Sequence, residues 1–124
     1  MMSDDVRRFV LTSVPSIPYL EAILLFKRDR SVEWSAKRVS QALYISENAG
    51  AALVDALASA GVIGAAADAS FFRYSPRDAA LDESLNALEQ AYRTDMIGVT
   101  RLVHDATQRS AQRLADAFRI RKDG

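Results

Sequence analysis

Residues 34–63 read WSAKRVSQALYISENAGAALVDALASAGVI, and the fold turns on this stretch. Ser35 offers a side-chain oxygen to the free N–H groups of a first helical turn. Trp34 before it and Val39 after it are spaced as a hydrophobic staple. Val39, Ala42 and Leu43 make an inward stripe, with Lys37, Arg38 and Gln41 outside. The helix ends near Tyr44, Ile45 fills the turn, and Ser46 caps a second helix over 47–60. The inward stripe of that helix is expected at Ala49, Leu53, Ala56 and Leu57, and its outward side at Glu47, Asn48, Gly50 and Ala51, with Asp55 further along. Gly61 then stops it, because glycine tolerates the left-handed backbone that closes a helix, and Val62 is placed for the accompanying apolar contact.

On the C-terminal side the period changes. Val62–Ile63 and Phe71–Arg73 predict two short strands around the small-residue loop GAAADAS, with Gly64, Asp68 and Ser70 as turn formers. Phe71 and Arg73 would share one strand face, Phe72 and Tyr74 the other. The run Ser75-Pro76-Arg77-Asp78 predicts another helix start, with proline in the first turn and Asp78 in a capping box. A stripe of Leu81, Leu85, Leu88, Tyr92, Met96, Val99, Val103 and Ala106 then predicts one continuous helix, broken near Thr107–Ser110 and followed by a short helix on Leu114, Ala117 and Phe118. From Arg77 to Asp105 such a helix is about 40 Å long at ~1.5 Å per residue. That exceeds what the remaining core spans, so part of the stripe is expected to pair with a second copy of the chain.

On the N-terminal side, Ser3 caps a short helix with Asp4 and Asp5 in its first turn and Val6, Phe9 and Val10 on one face. A second helix, about Ile17 to Arg28, is apolar around most of its circumference and belongs near the centre of the core. The following charged run KRDR (27–30) reads as a solvated loop.

The order of helices followed by a strand pair resembles the winged helix-turn-helix superfamily, over roughly residues 17–76. The residues that carry the resemblance are WSAKRVSQAL, the turn YIS, ENAGAALVDALASAGVI and the hairpin ending FFRYSP. The added C-terminal helix resembles, in architecture only, bacterial transcription regulators of the PadR type. The fold class implied is mainly α with a small β-hairpin: a winged helix-turn-helix domain over 1–76, with an N-terminal helix, and a long C-terminal helical segment over 77–124 that would dimerise.

The resemblance also implies a docking mode, in which the helix after the turn enters the major groove and the hairpin touches the backbone or minor groove. Carried onto this chain, Asn48 would meet a base edge. Lys37, Arg38, Arg73 and Arg77, or the run Lys27, Arg28 and Arg30, would meet phosphates. Against this, helix 47–60 carries Glu47 and Asp55 and no cation. The alternative is a winged-helix module that binds protein through helix 47–60, whose Ala49, Gly50, Ala51 and Ala52 leave room for a close partner.

Composition bounds the remaining classes. With 16 basic and 16 acidic residues the formal charge is zero, so there is no global pull towards polyanions. No cysteine is present, which removes thiolate chemistry and cysteine-based zinc sites. The sole histidine, His104, has no companion to complete a familiar metal set. No nucleophile–base set or glycine-rich phosphate loop appears. The expectation is therefore a non-enzymatic protein with no cofactor. The longest strongly apolar run, AILLF at 22–26, is far below the ~20 residues of a membrane span, and a soluble cytoplasmic protein is expected, with the basic tail RIRKDG at its end.

Overall fold

The computed structural model describes residues 2–123. Helix α1 (Asp4–Ser13) is capped by Ser3, whose Oγ accepts from the Val6 N–H at 3.2 Å. Helix α2 (Ile17–Arg28) is capped by Ser16, which accepts from Tyr19 N–H, and carries Pro18 in its first turn. Tyr19, Leu20, Ala22, Ile23, Leu25 and Phe26 of α2 are all buried, so the helix that reads as apolar all round is the central one. No helix among the described residues is long and apolar enough to cross a membrane by itself.

Helix α3 (Ala36–Leu43) begins at the predicted cap, with Ser35 Oγ accepting from Arg38 N–H. The chain leaves it through Tyr44 in the left-handed region at φ 58°, and Ile45 N–H closes back onto the Ser40 carbonyl at 3.0 Å. Helix α4 (Glu47–Ser59) starts under the Ser46 cap. It ends as expected: Val62 N–H donates to Leu57 O at 3.0 Å and Gly61 N–H to Ala58 O at 3.1 Å, with Gly61 at φ 78°. This pair of bonds is the glycine-closed helix terminus that satisfies two orphan carbonyls.

Strands β1 (Ile63–Ala65) and β2 (Phe72–Tyr74) pair antiparallel, Ile63 opposite Tyr74 and Ala65 opposite Phe72. Each lies a residue or so beyond its predicted span. Trp34 extends the ribbon by exchanging both backbone hydrogen bonds with Phe72, at 2.7 and 2.8 Å. The pairing also continues past β2: Ser75 N–H reaches Val62 O and Arg77 N–H reaches Gly61 O at 2.8 Å. That holds 75–77 extended and delays the next helix, so Pro76 lies outside it. Helix α5 (Ala79–Thr94) starts at Asp78, which accepts from Leu81 N–H at 2.8 Å.

The class is thus mainly helical, with a small antiparallel hairpin after α4 and a long C-terminal helix. Two expectations need correction. First, the stripe over 77–106 is not one helix. It breaks at Asp95, whose N–H closes α5 onto Ala91 O at 2.8 Å while its carboxylate accepts from Gly98 N–H at 3.0 Å and starts helix α6 (Met96–Asp123). No break occurs at Thr107–Ser110. With that bend, Leu85, Leu88, Val99 and Val103 are all fully buried within one chain, while Met96 of the same stripe stays 53% exposed.

Second, the α4 seam is rotated. Gly50, Val54 and Leu57 are buried, Leu53 is half-buried against the core, and Ala49 and Ala56 face solvent. On α3, Val39 and Ser40 are buried and Leu43 half-buried, while Ala42 is exposed. The cause is the close α3–α4 crossing, where the absent Gly50 side chain lets the Ala36 carbonyl and Ser40 approach.

Candidate nucleic-acid interface

Helix α4 packs against both α3 and β1. Its solvent side consists of Glu47, Asn48, Ala49, Ala52, Asp55, Ala56 and Ser59. Asn48 lies in the first turn, where the cap is supplied by Ser46 and the Asn48 amide makes no hydrogen bond among the described residues. The helix face is therefore small, uncharged in its middle and acidic at two points.

The four cations assigned to phosphate contacts divide into two pairs. Lys37 on α3 and Arg73 on β2 are exposed, and neither takes part in an ion pair or side-chain hydrogen bond among the described residues. Arg38 lies over the Trp34 ring at 5.3 Å and donates to the Glu33 carbonyl at 3.1 Å. Arg77 donates from Nη1 to the Ala60 carbonyl at 3.2 Å and sits beside Asp78. A cation there completes the C-terminus of α4, where the helix dipole favours positive charge. Arg38 and Arg77 thus have structural partners already, and Lys37 and Arg73 are the free ones.

The run KRDR is not a solvated loop throughout. The Lys27 ammonium is buried, donating to Asn86 Oδ1 at 2.6 Å and to the Tyr74 hydroxyl at 3.5 Å, 4.7 Å above the Tyr74 ring and 3.8 Å from Glu89. Arg30 stacks on the same ring at 4.7 Å and reaches Asn86 and Asp82. Together they tie the end of α2 to the hairpin and α5. Arg28 alone of the three basic residues remains on the surface without a partner among the described residues.

Burial pushes the Lys27 ammonium below its ordinary 10.5, offset in part by Glu89. Burial first, then the 2.8 Å bond to Asp82, pushes the Tyr74 phenol well above its ordinary 10.0. Burial raises Tyr19 as well. A raised phenol keeps its proton in the folded chain where the unfolded chain has lost it, so its stabilisation is complete below pH 10.0 and drains away above it. The depressed lysine acts in the opposite sense just below pH 10.5. With two phenols against one ammonium, urea stability should fall as pH rises above 10.0, and Tyr74→Phe should make that fall shallower. Equal slopes in the two proteins would show that the phenol does not titrate differently on folding.

One residue that the sequence reading passed over is Tyr44. It occupies the α3–α4 turn in a left-handed conformation that costs a non-glycine residue roughly 1–2 kcal/mol, yet its ring is 96% exposed. An exposed aromatic held in a strained turn beside the start of α4 is a candidate contact. The available signal was a large aromatic between two helix signatures, without the usual glycine or asparagine.

A second surface feature is a groove of about 900 Å³ between α2, α3 and the first half of α6, with Leu24, Trp34, Leu43, Tyr92, Met96 and Ile97 among its lining residues. Among the described residues no group of three His, Cys, Asp or Glu side chains could hold a metal ion. No family model, curated protein or solved structure matches the chain.

Proposed function

We propose that this chain is a winged helix-turn-helix regulator that binds duplex DNA as a dimer, without catalysis, in the cytoplasm. The observation that supports it best is an exposed α4 patch without charge (Asn48, Ala49, Ala52), flanked by an unengaged cation on α3, Lys37, with a second, Arg73, on β2, the hairpin partner of the β1 strand that α4 packs against. In this reading Asn48 meets an adenine edge and the alanine methyls meet thymine methyls. Lys37, Arg73 and the Tyr44 hydroxyl hold phosphates. Arg38 and Arg77 support Trp34 and the end of α4 instead of touching DNA.

Glu47 and Asp55 oppose a polyanion, so affinity rests on few phosphate contacts. Two cations per protomer give about four per dimer, and log K should fall against log salt with a slope of about −3 to −4. Fluorescence anisotropy with a random-sequence duplex at low salt tests this. Lys37→Glu/Arg73→Glu should abolish binding with the circular dichroism unchanged. No binding by the wild type at about 100 µM protein, the weak end of non-specific affinity, would overturn the DNA reading.

A second reading has its own observation. Two carboxylates and no cation on the exposed face of α4 suit a basic protein surface better than a phosphate backbone. A module that binds protein through helix 47–60 would leave anisotropy flat while retaining the same fold.

A further inference from the structure

Beyond Thr107, whose hydroxyl donates to the Pro15 carbonyl at 2.9 Å, α6 leaves the body of the domain. Every residue from 108 to 119 is exposed. Leu114 and Phe118 are 61% and 60% exposed on this half, and at the other end of the same helix Met96 and Ile97 are 53% and 67% exposed beside the α2–α3–α6 groove. At ~100° per residue, Phe118 lies within about 60° of Ile97 round the helix, and at ~1.5 Å per residue about 32 Å from it along the axis. One helix therefore carries an apolar knob at one end and an apolar groove at the other, close to one face.

We propose that two copies pair through α6 in antiparallel fashion, each distal half laying Leu114 and Phe118 into the partner's groove. This deepens the dimer clause of the proposed function and rests on it. The two-fold axis falls beside Thr107 and Gln108, which sets Ile97 against Phe118 of the partner subunit and Thr100 against Ala115 of the partner subunit. A second copy fits because knob and groove are on the same chain at one fixed spacing, so a single two-fold rotation fills both grooves at once. A parallel pair would set Phe118 against its own copy and leave both grooves empty. The docked face is uncharged at Ala111, Leu114, Ala115 and Phe118, while Glu21, Arg28 and Arg101 line the groove as its charged residues.

Phe118 alone has about 120 Å² to lose, taking its exposed share of the ~200 Å² that an aromatic side chain buries. With comparable amounts from Leu114, Met96 and Ile97, these four residues bring roughly 400 Å² per protomer, about half of the ~800 Å² per partner of a standard interface, before the Leu24, Trp34 and Leu43 walls of the groove are counted.

The test needs no DNA. The full chain should sediment as a dimer of twice 13.6 kDa at tens of micromolar, and Phe118→Glu should sediment as a folded monomer. Because the chain has no cysteine, introduced thiols report the arrangement directly. A mixture of Thr100→Cys and Ala115→Cys proteins should form the disulfide heterodimer under mild oxidation, while Ala115→Cys alone should not self-link. A monomeric wild type, an intact Phe118→Glu dimer, or self-linking of Ala115→Cys alone would each overturn the proposal. Loss of DNA binding alongside the expected cross-link would sink only the DNA reading, and DNA binding by a monomer would sink this pairing together with the dimer clause while leaving the DNA reading standing.

Discussion

Phe26→Ala is expected to cost about 3–5 kcal/mol, the range for deleting a large aromatic side chain from a closed core. Phe26 is fully buried on the central helix α2. Its ring meets Trp34 edge-on, with centroids 6.3 Å apart and planes at 62°. Trp34 in turn exchanges two backbone hydrogen bonds with Phe72, so the cavity opens under the residue that anchors the hairpin to the helices. Domains of this size hold only about 5–15 kcal/mol in total, and a loss of that order should move the urea midpoint far towards water with the slope nearly unchanged. The chain has a single tryptophan, so its fluorescence reports this neighbourhood directly: the Ala variant should emit to the red of wild type even before it unfolds. A cost under about 1 kcal/mol, the level of an ordinary surface change, would show that Phe26 is not the support described.

How far the fold was readable depended on how local each signal was. Ser3, Ser35 and Ser46 all cap as read, because a cap bond spans three residues and needs nothing from the rest of the chain. Gly61 ends α4 for the same reason. The hairpin pairs Ile63 with Tyr74, and the turn chemistry of Asp68 and Ser70 holds its loop, with Ser70 N–H on the Asp68 carboxylate at 2.9 Å. What failed to read were features set by distant partners. Lys27 belongs to a charged run, but its ammonium is fixed by Tyr74 and Asn86, 47 and 59 residues away. Arg77 looks like a free cation until the Ala60 carbonyl, 17 residues earlier, is placed beside it. The Asp95 break was hidden because the apolar stripe keeps facing one core on both sides of the bend. The candidate interface shows the same division: exposure of Lys37, Asn48 and Arg73 follows from helix and strand period, whereas the engagement of Arg38 and Arg77 does not.

Gly50→Ala separates two rules that predict opposite signs. Inside a helix, alanine is preferred over glycine by about 0.8–1.0 kcal/mol, and a solvent-facing Gly50, as the periodicity suggested, would make the substitution stabilising. The structure gives the opposite environment. A Cβ at position 50 would meet the Ala36 carbonyl oxygen at 2.7 Å and the Ser40 Cβ at 2.9 Å, and neither is the free end of a flexible chain. Ser40 is held by its own hydroxyl bond to the Lys37 carbonyl at 2.6 Å, and Ala36 is the first residue of α3. Relief therefore requires α3 and α4 to move apart, and forced insertion into a tight contact costs typically ~1–3 kcal/mol. Set against the propensity gain, the net change should be destabilising by up to roughly 2 kcal/mol, and Gly50→Leu should be worse. Because α3 carries Lys37 and α4 carries Asn48, the same shift should also weaken any duplex binding of the folded fraction. A measured stabilisation of Gly50→Ala would mean that the two helices do not cross this closely, and the α3–α4 geometry on which the interface is built would have to be withdrawn.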